Sequence, residues 1–410
     1  MKNIIFAFGS VPKDGGTFTF YRTLRPQLLE YEIETRCVAV GQSEARLWDD
    51  DFADEGCFCT AEKVRNVKKQ AIIFVDWCMS HGVDIVMGIN SVAILSALPH
   101  LPRRIRVMAR CANSFGHGYQ ITISCYERLA GIIAQTPRQV HDLSERYGVA
   151  KDRLSLIPNG IEIAKFQDAA SRPRRESSAL RLGFLGRLEH NQKGVLFLPG
   201  IIHKLHEQET QFHLKVAGKG VHGKNLESEL GGYVQEGTVE FLGSLSPFQV
   251  PKFLAGIDVL LFPSQFEGCP NALLEAMMAG CVPVASKLEG ITDFILQEGK
   301  TGFLCPVGDC ETFASRVFEL AKNRNKLRKM SQSVVQDARE RFSQSRMAAD
   351  YARVLKKVMS EPAPEWTPRP WSEFQVDPAF KQTWRRYVPD SVKKGVRNMM
   401  FNLGLSKRYE

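Results

Sequence analysis

The stretch Pro263-Ser-Gln-Phe-Glu-Gly-Cys-Pro-Asn-Ala-Leu-Leu-Glu-Ala-Met-Met-Ala-Gly280 predicts a turn that joins a buried strand to a helix. The apolar run 257–262 before it predicts the strand, because a short continuous run is typical of a strand covered on both faces. Gly268 and Pro270 predict the turn, and the helix is expected to begin near Asn271 and to stop at Gly280. This order of elements favours a parallel α/β fold.

Two carboxylates, Glu267 and Glu275, bracket this turn, one in the loop and one in the early part of the helix. The first N–H groups of a helix lack partners within the helix and suit a phosphate. Carboxylates accept hydrogen bonds from hydroxyl groups. Phosphate flanked by hydroxyls on both sides describes a nucleotide sugar, whereas the spacing alone favours the alternative of a solvated helix carboxylate and a loop carboxylate.

Strand-like and helical segments alternate along the whole chain, which predicts parallel sheets with helices on both faces. The first series of predicted strands is 3–8, 35–40, 84–87, 105–109, 131–135 and 154–157, and the second is 180–185, 213–217, 239–242, 257–262 and 282–285. The polar segment 167–178 separates the two series and predicts a linker. The expected domains are 1–170 and 179–345, followed by a C-terminal helix and a Pro-rich, basic tail over 346–410.

The composition fits a globular chain with two cores, since 44% of its 410 residues are hydrophobic. The formal net charge of +9 favours anionic partners, but no aromatic and basic platform indicates nucleic acid. The ten cysteines show no zinc-ligand spacing, which predicts free thiols in a reducing cytoplasm. The first apolar run is too short for a signal peptide and no run reaches membrane-spanning length, so a cytoplasmic location is expected.

Arg187 and Lys193 lie just after the predicted strand 180–185. Arginine offers a bidentate fork and lysine a point charge, so the pair could neutralise a diphosphate. Ligands of open α/β sheets bind at this carboxyl edge, although a solvated basic loop is the alternative. Gly15 and Gly16, after the first strand, would let backbone approach a ligand or would simply make a tight turn.

Together these segments resemble the retaining glycosyltransferases of family 4, which have the GT-B fold. That fold consists of two Rossmann-like doubly wound domains facing a central cleft, and the resemblance covers most of residues 1–345. It rests on Gly15-Gly16, Ile157-Pro-Asn-Gly-Ile161, Gly186-Arg187-Leu188, Lys193-Gly194, Val216-Ala-Gly218, Val239-Glu-Phe-Leu-Gly243, and the segment from Glu267 to Glu275 with Gly280-Cys-Val-Pro-Val-Ala285.

The resemblance implies roles for individual residues. Arg187 and Lys193 would hold the donor diphosphate and stabilise the departing nucleotide, and Glu267 would bind hydroxyls of the donor sugar. These three are the implied catalytic residues. The implied donor-binding residues are Gly16, Gly218, Leu242, Cys269, Asn271, Ala272, Leu273 and Glu275, the last on the ribose hydroxyls.

The sequence departs from the family pattern after the strand 105–109. Many relatives carry a histidine there that faces the donor sugar, whereas Ala112 occupies the corresponding position. His117 lies out of register and is interpreted as a polar loop residue. Arg110 or Asn113 could provide hydrogen bonds on the acceptor side instead.

The expected reaction is transfer of a hexose-type sugar from a nucleotide diphosphate, with UDP slightly favoured, to an acceptor hydroxyl with retention. The acceptor would be a glycan, glycolipid or protein, in surface glycan or glycolipid assembly. No cofactor or metal is expected, because the two cations and the helix start would offset the charge on the leaving diphosphate. A nucleotide-sugar epimerase of the same fold and an inactive nucleotide-sugar-binding module are the alternatives.

The C-terminal tail allows two interpretations. A Pro-rich connector spans 361–370, and residues 371–384 are expected to cross back and pack on the N-terminal domain. Residues 389–409 predict a basic amphipathic helix, which would either pack as well or lie on an anionic membrane surface.

Overall fold

The computed structural model describes residues 3–9, 16–41, 56–89, 91–171 and 179–380. These residues form two compact units. Described residues within Met1–Gln135, Gln139–Ile157 and Ala348–Glu410 make the first unit. Those within Thr136–Arg138 and Pro158–Met347 make the second.

Each unit is built on one fully parallel sheet. In the described part of the first unit, the strands are β1 (Ile4–Gly9), β2 (Ile33–Val40), β3 (Cys57–Thr60), β4 (Ile85–Met87), β5 (Arg106–Arg110), β6 (Leu129–Ala134) and β7 (Leu154–Leu156). In the second they are β8 (Leu180–Leu185), β9 (Phe212–Ala217), β10 (Val239–Gly243), β11 (Val259–Phe262), β12 (Val282–Ser286) and β13 (Phe303–Cys305).

Most helices lie between strands, because parallel pairing needs a crossover at every connection, and the last three helices follow the final strand. They are α1 (Gly16–Leu29), α2 (Val67–Ser80), α3 (Val92–Ala97), α4 (Gly116–Thr122), α5 (Pro137–His141), α6 (Ile163–Ser171), α7 (His190–Lys193), α8 (Leu198–Glu207), α9 (Gly223–Glu229), α10 (Gly231–Gln235), α11 (Val250–Ala255), α12 (Asn271–Met278), α13 (Thr292–Ile295), α14 (Cys310–Lys322), α15 (Arg324–Phe342) and α16 (Gln344–Ser360).

Both sheets have the doubly wound strand order. The order is β3-β2-β1-β4-β5-β6-β7 in the first unit and β10-β9-β8-β11-β12-β13 in the second. In each, the chain starts in the middle, winds to one edge and then returns to build the other side. Connections from β8 and β11, which are neighbours, therefore leave in opposite directions and open a crevice at their carboxyl ends.

Helices cover the second sheet on both faces, which explains why the sequences of its strands are continuous apolar runs. On one face, α8 and α14 supply buried side chains such as Ile201 and Phe313. On the other face, α12 and α15 supply Leu274 and Val334, among others. Burial of both faces fixes the strands firmly, so that the loops at their carboxyl ends have a rigid base.

The strand predictions cover the interior of both sheets and miss two edge strands. β3 and β13, with four and three residues, lie at the outer edge of their sheets. Length alone does not explain the omission, because β4 and β7 have three residues each and were predicted. The sequence Cys57-Phe-Cys-Thr60 lies in β3, and all ten cysteines are free thiols.

The division between the units falls after Ile157 rather than within the predicted linker 167–178. Helix α6 belongs to the second unit because Phe166 is buried in its core, beside Phe253 of α11. The N–H of Ile161 also donates to the carbonyl of Phe342, at 2.8 Å. Of the predicted linker, residues 172–178 lie outside the described residues.

Residues 361–380 pack along the first unit. Arg106 donates to the carbonyls of Val358 and Glu361, at 3.2 and 2.7 Å. The Trp371 indole stacks on the His100 ring, with centroids 4.1 Å apart, and Phe374 adds a second aromatic contact. The predicted amphipathic segment 389–409 lies outside the described residues. Within the described ranges, each helix is either too short or too polar to cross a bilayer.

Candidate active site

Two loops of the second unit meet where its strand order reverses. The segment after β8 contains Arg187 and, at the end of the short helix α7, Lys193, and the loop after β11 contains Glu267. They are joined through backbone, since the N–H of Gln265 donates to the carbonyl of Gln192 at 2.8 Å. Residues about seventy-five positions apart in sequence are thus held side by side at the switch point of the sheet.

Glu267 is the centre of this cluster and is only 4% exposed. Its Oε1 accepts from Lys193 Nζ at 2.6 Å and from Ser264 Oγ at 2.8 Å. Its Oε2 accepts a longer bond from Gln192 Nε2, at 3.4 Å. A carboxylate buried to this degree needs such partners, since an unpaired buried charge costs several kcal/mol.

Two of these partners are absent from the sequence predictions. Ser264 is the second residue after β11, and its position beside the predicted turn was the only signal for it in the sequence. Gln192 has no signal in the sequence, because nothing in a polar loop indicates that one amide will face a glutamate on another loop. The two predicted cations, Arg187 and Lys193, also differ in how far they are buried.

Lys193 is largely buried in its ion pair with Glu267, whereas Arg187 is exposed and donates through Nη2 to Gln192 Oε1. The structure therefore brings Lys193 and Glu267 into direct contact and leaves Arg187 at the solvent-facing side of the same loop. An exposed guanidinium of this kind can reorient toward an incoming diphosphate at little cost, because it leaves no buried group unpaired.

Close backbone approach between the loops requires glycine at two positions. Gly194 has φ +63°, and a Cβ there would lie 1.9 Å from the carbonyl oxygen of Pro263. Gly218, a predicted donor-binding residue, has φ +148°, and its Cβ would lie 1.8 Å from the carbonyl oxygen of Gly186. The loops after β8, β9 and β11 can touch only because these side chains are missing.

Helix α12 begins at the same crevice and no side chain caps its first turn. The N–H groups of Leu273 and Leu274 donate to the carbonyl of Pro270, at 3.1 and 3.2 Å. The amides before them, of Asn271 and Ala272, are the ones that an anion could use. A third loop contacts Asn271: Asn159 Nδ2 donates to the Asn271 Oδ1 at 2.6 Å.

Glu275 lies one turn further along α12 and is half-buried. Burial raises the pKa of its carboxyl to about 7, and the charge of Lys165 opposes the shift. A carboxyl in this state is half protonated at neutral pH. Hydrogen bonds from hydroxyl groups would favour its charged form.

The remaining predicted donor-binding residues differ in accessibility. Leu242 and Cys269 are half-buried and pack on the core beneath the crevice, so part of each is accessible. Leu273 is fully buried, which assigns its side chain to the core. Gly16, in the first unit, is the first residue of α1, and the preceding residues 11–15 lie outside the described ranges.

The acceptor-side candidates of the first unit are not alike. Arg110 is buried, and its guanidinium lies 4.1 Å from the centroid of the Phe20 ring. Asn113 is exposed and Ala112 is half-buried. His117 is exposed and its ring lies edge-on to Phe380. The cation–π contact explains Arg110 as a packed residue, so Asn113 is the more accessible of the two candidates.

Among the residues that the structure describes, no three His, Cys, Asp or Glu side chains are grouped so that they could hold a metal ion.

Residues 179–323 match the family model described as "Glycosyl transferases group 1". A phosphatidyl-myo-inositol mannosyltransferase of Mycobacterium leprae is 29% identical over 240 residues, which are 57% of this chain and 60% of that protein. A glycogen synthase of Mycobacterium tuberculosis is 28% identical over 176 residues, 43% of this chain and 42% of that protein. The chain thus spans about half the length of these curated relatives.

Solved structures resemble the whole fold. A glycosyltransferase from Rickettsia africae covers 88% of this chain and all of its own, with a TM-score of 0.73 and 13% identity. HepE from Anabaena, solved in complex with UDP, covers 87% of this chain and all of its own, with a TM-score of 0.68 and 18% identity. The predicted fold class, GT-B with two Rossmann-like domains, is confirmed, and residues 179–323 within it match the group 1 glycosyl transferases.

Proposed function

We propose that this protein is a retaining glycosyltransferase that moves a hexose-type sugar from a nucleotide diphosphate to an acceptor hydroxyl. One observation carries the proposal: a buried carboxylate, a paired cation and the open start of α12 meet at the switch point of the second sheet. This combination provides acceptors for sugar hydroxyls and positive charge for phosphates in one place.

In the proposed complex, the amides of Asn271 and Ala272 and the Arg187 guanidinium hold the diphosphate. Lys193 stabilises the charge that develops on it as the glycosidic bond breaks. Glu267 accepts hydrogen bonds from hydroxyls of the donor sugar, and Glu275 accepts them from the ribose. Because fixed cations and helix amides already face the leaving group, we propose that transfer requires no metal.

UDP is the proposed nucleotide, and structures of the Anabaena HepE with UDP and with UDP-glucose support it, because that protein has the same fold. The acceptor is proposed to be a glycan or glycolipid hydroxyl in surface glycan assembly. The names of curated relatives, among them the lipid mannosyltransferase of M. leprae, support this class. We further propose a cytoplasmic site of action, because none of the ten cysteines is part of a disulfide.

The test is a panel of UDP-, GDP- and ADP-sugars. Each is measured for thermal stabilisation of the full chain and for slow release of the nucleoside diphosphate, with and without EDTA. At least one sugar nucleotide should raise the melting temperature and be turned over, and the Glu267→Gln variant should bind it without turnover. EDTA should leave the turnover of that donor unchanged.

Three results would contradict the proposal. If no member of the panel stabilises the protein, the donor site is wrong. If a donor is bound and recovered with an inverted sugar carbon, the protein is an epimerase. If a donor is bound but never consumed with any glycan or lipid acceptor, the protein is a binding module.

A further inference from the structure

Two hydrogen bonds hold His190, the first residue of α7. They define the tautomers of two imidazole rings, those of His190 and His222. The N–H of His190 donates to Nδ1 of His222, at 3.1 Å. The N–H of Leu196 donates to Nδ1 of His190, at 3.2 Å. Because a backbone N–H can only donate, both Nδ1 atoms are acceptors, and each neutral ring carries its proton on Nε2.

His222 is fixed against the loop after β8 in its turn. Its own N–H donates to the carbonyl of Leu188, at 3.0 Å, and the N–H of Leu188 donates to the carbonyl of Lys219, at 2.9 Å. The segment that follows β9 is therefore paired with the loop after β8 through backbone, and the His222 ring extends that pairing as far as His190.

A third loop holds the other side of His190. Gln265 Nε2, from the loop after β11, donates to the carbonyl of His190 at 2.6 Å. The ring of His190 also packs edge-on against Phe197, with centroids 4.8 Å apart. His190 is thus fixed at its N–H, its ring and its carbonyl. Gln192 and Lys193, two and three residues later, contact Glu267 from this anchored start.

We propose that His222 is a positioning residue for donor binding: through His190 it sets where the loop 186–194 presents its cations. This inference rests on the proposed function, since it concerns the same site. His222 touches neither Glu267 nor Lys193 in the described contacts, so it acts through the backbone of His190 rather than on the substrate.

Two substitutions of His222 distinguish the effect of its hydrogen-bond acceptor atom from the effect of its side-chain volume. In His222→Asn, Oδ1 lies as many bonds from the backbone as Nδ1 does and can accept from the same N–H. In His222→Leu, the volume is similar and the acceptor is lost. His213→Leu is the matched control, because His213 is exposed on β9 and outside this network.

The dissociation constant of UDP, ADP and GDP is measured for the full-length chain and each variant. For the nucleotide that the wild type prefers, His222→Leu should weaken binding about tenfold, as expected for one lost hydrogen bond and a looser loop. His222→Asn and His213→Leu should stay within about twofold of the wild type. Hydrogen exchange provides a reading without ligand: the amides of His190 and Leu196 should lose protection in His222→Leu and regain it in His222→Asn.

Failure of this inference is distinguishable from failure of the proposed function. If the wild type binds a nucleotide and His222→Leu binds it equally well, or if His222→Asn does not restore binding, His222 has no positioning role. If the wild type binds none of the three nucleotides, the proposed function fails and the inference with it. Unchanged amide exchange in His222→Leu would overturn the proposed contact itself.

Discussion

The Glu275→Gln substitution is expected to remove a pH dependence of nucleotide binding that the wild-type protein shows near neutrality. Burial raises the pKa of the Glu275 carboxyl to about 7. If ribose hydroxyls donate to this group, they bind its charged form, and the protonated form must lose its proton first. Glutamine keeps the shape and one acceptor oxygen but does not titrate in this range.

The size of the effect follows from linkage. With a pKa of about 7 in the free protein, affinity should rise about tenfold per pH unit below that value and level off above it. At pH 7 about half a proton should be released for each nucleotide bound. The pKa shift itself, from 4.5 to about 7 at about 1.36 kcal/mol per pKa unit, corresponds to about 3 kcal/mol of folding stability that is lost when Glu275 is ionised.

Isothermal titration calorimetry with UDP measures both the affinity and the number of protons released on binding. Titrations at pH 7 in two buffers of different ionisation enthalpy give the number of protons released. A series from pH 5.5 to 8 gives the affinity profile. The difference between wild type and Glu275→Gln cancels the ionisation of the ligand and of other groups in the protein.

The free energy of unfolding should fall as pH rises, whereas the affinity for the nucleotide should rise. Because the folded-state pKa is raised, Glu275 contributes stability that is complete below the unfolded-state pKa and is lost as pH rises through about 7. The free energy of unfolding of the wild type should therefore fall by up to about 3 kcal/mol relative to Glu275→Gln across this range. Parallel pH profiles of wild type and variant, in binding and in urea unfolding, would refute both the raised pKa and the ribose assignment.

Three further substitutions test the rest of the site. Lys193→Met should lower the free energy of unfolding by about 3 kcal/mol, because it leaves a buried carboxylate unpaired, and the double variant with Glu267→Gln should recover part of the loss in urea titrations. Gly194→Ala should cost more than Gly237→Ala, because both have positive φ but only the first would place a Cβ against a carbonyl oxygen; equal melting temperatures would contradict the close approach of the loops. Arg187→Ala should change the free energy of unfolding by less than about 0.5 kcal/mol yet weaken UDP binding at least about tenfold, and undiminished affinity would remove Arg187 from the diphosphate site.

Much of the fold could be predicted from the sequence because its strands are interior and apolar. The run 180–185 predicts the bounds of β8 as the structure has them, and the predicted helix at Asn271 begins there. The edge strands β3 and β13 were not predicted, although the equally short strands β4 and β7 were. The structure assigns α6 to the second unit, because Phe166 lies in the same buried cluster as Phe253 and Phe342.

The sequence identifies candidate residues for the site but not how they pair with one another. Spacing and residue type identify Lys193, Arg187 and Glu267 as candidates, and they treat the two cations alike. The structure separates them, because one is buried against a carboxylate and the other is exposed. Arg110 is a similar case: the sequence indicates a cation after β5, and only the Phe20 ring above it shows that this cation is packed.

The sequence by itself determined the α/β class, the interior strands and the set of residue types that can bind a diphosphate and sugar hydroxyls. These depend on local periodicity and on the chemistry of single side chains. Tertiary structure decided that Ser264 and Gln192 complete the environment of Glu267, that His222 reaches His190, and that Glu275 is buried enough to titrate near neutrality. Such features arise from strand order, which brings together loops distant in the chain and removes water from between them, and no local pattern records which loops will meet.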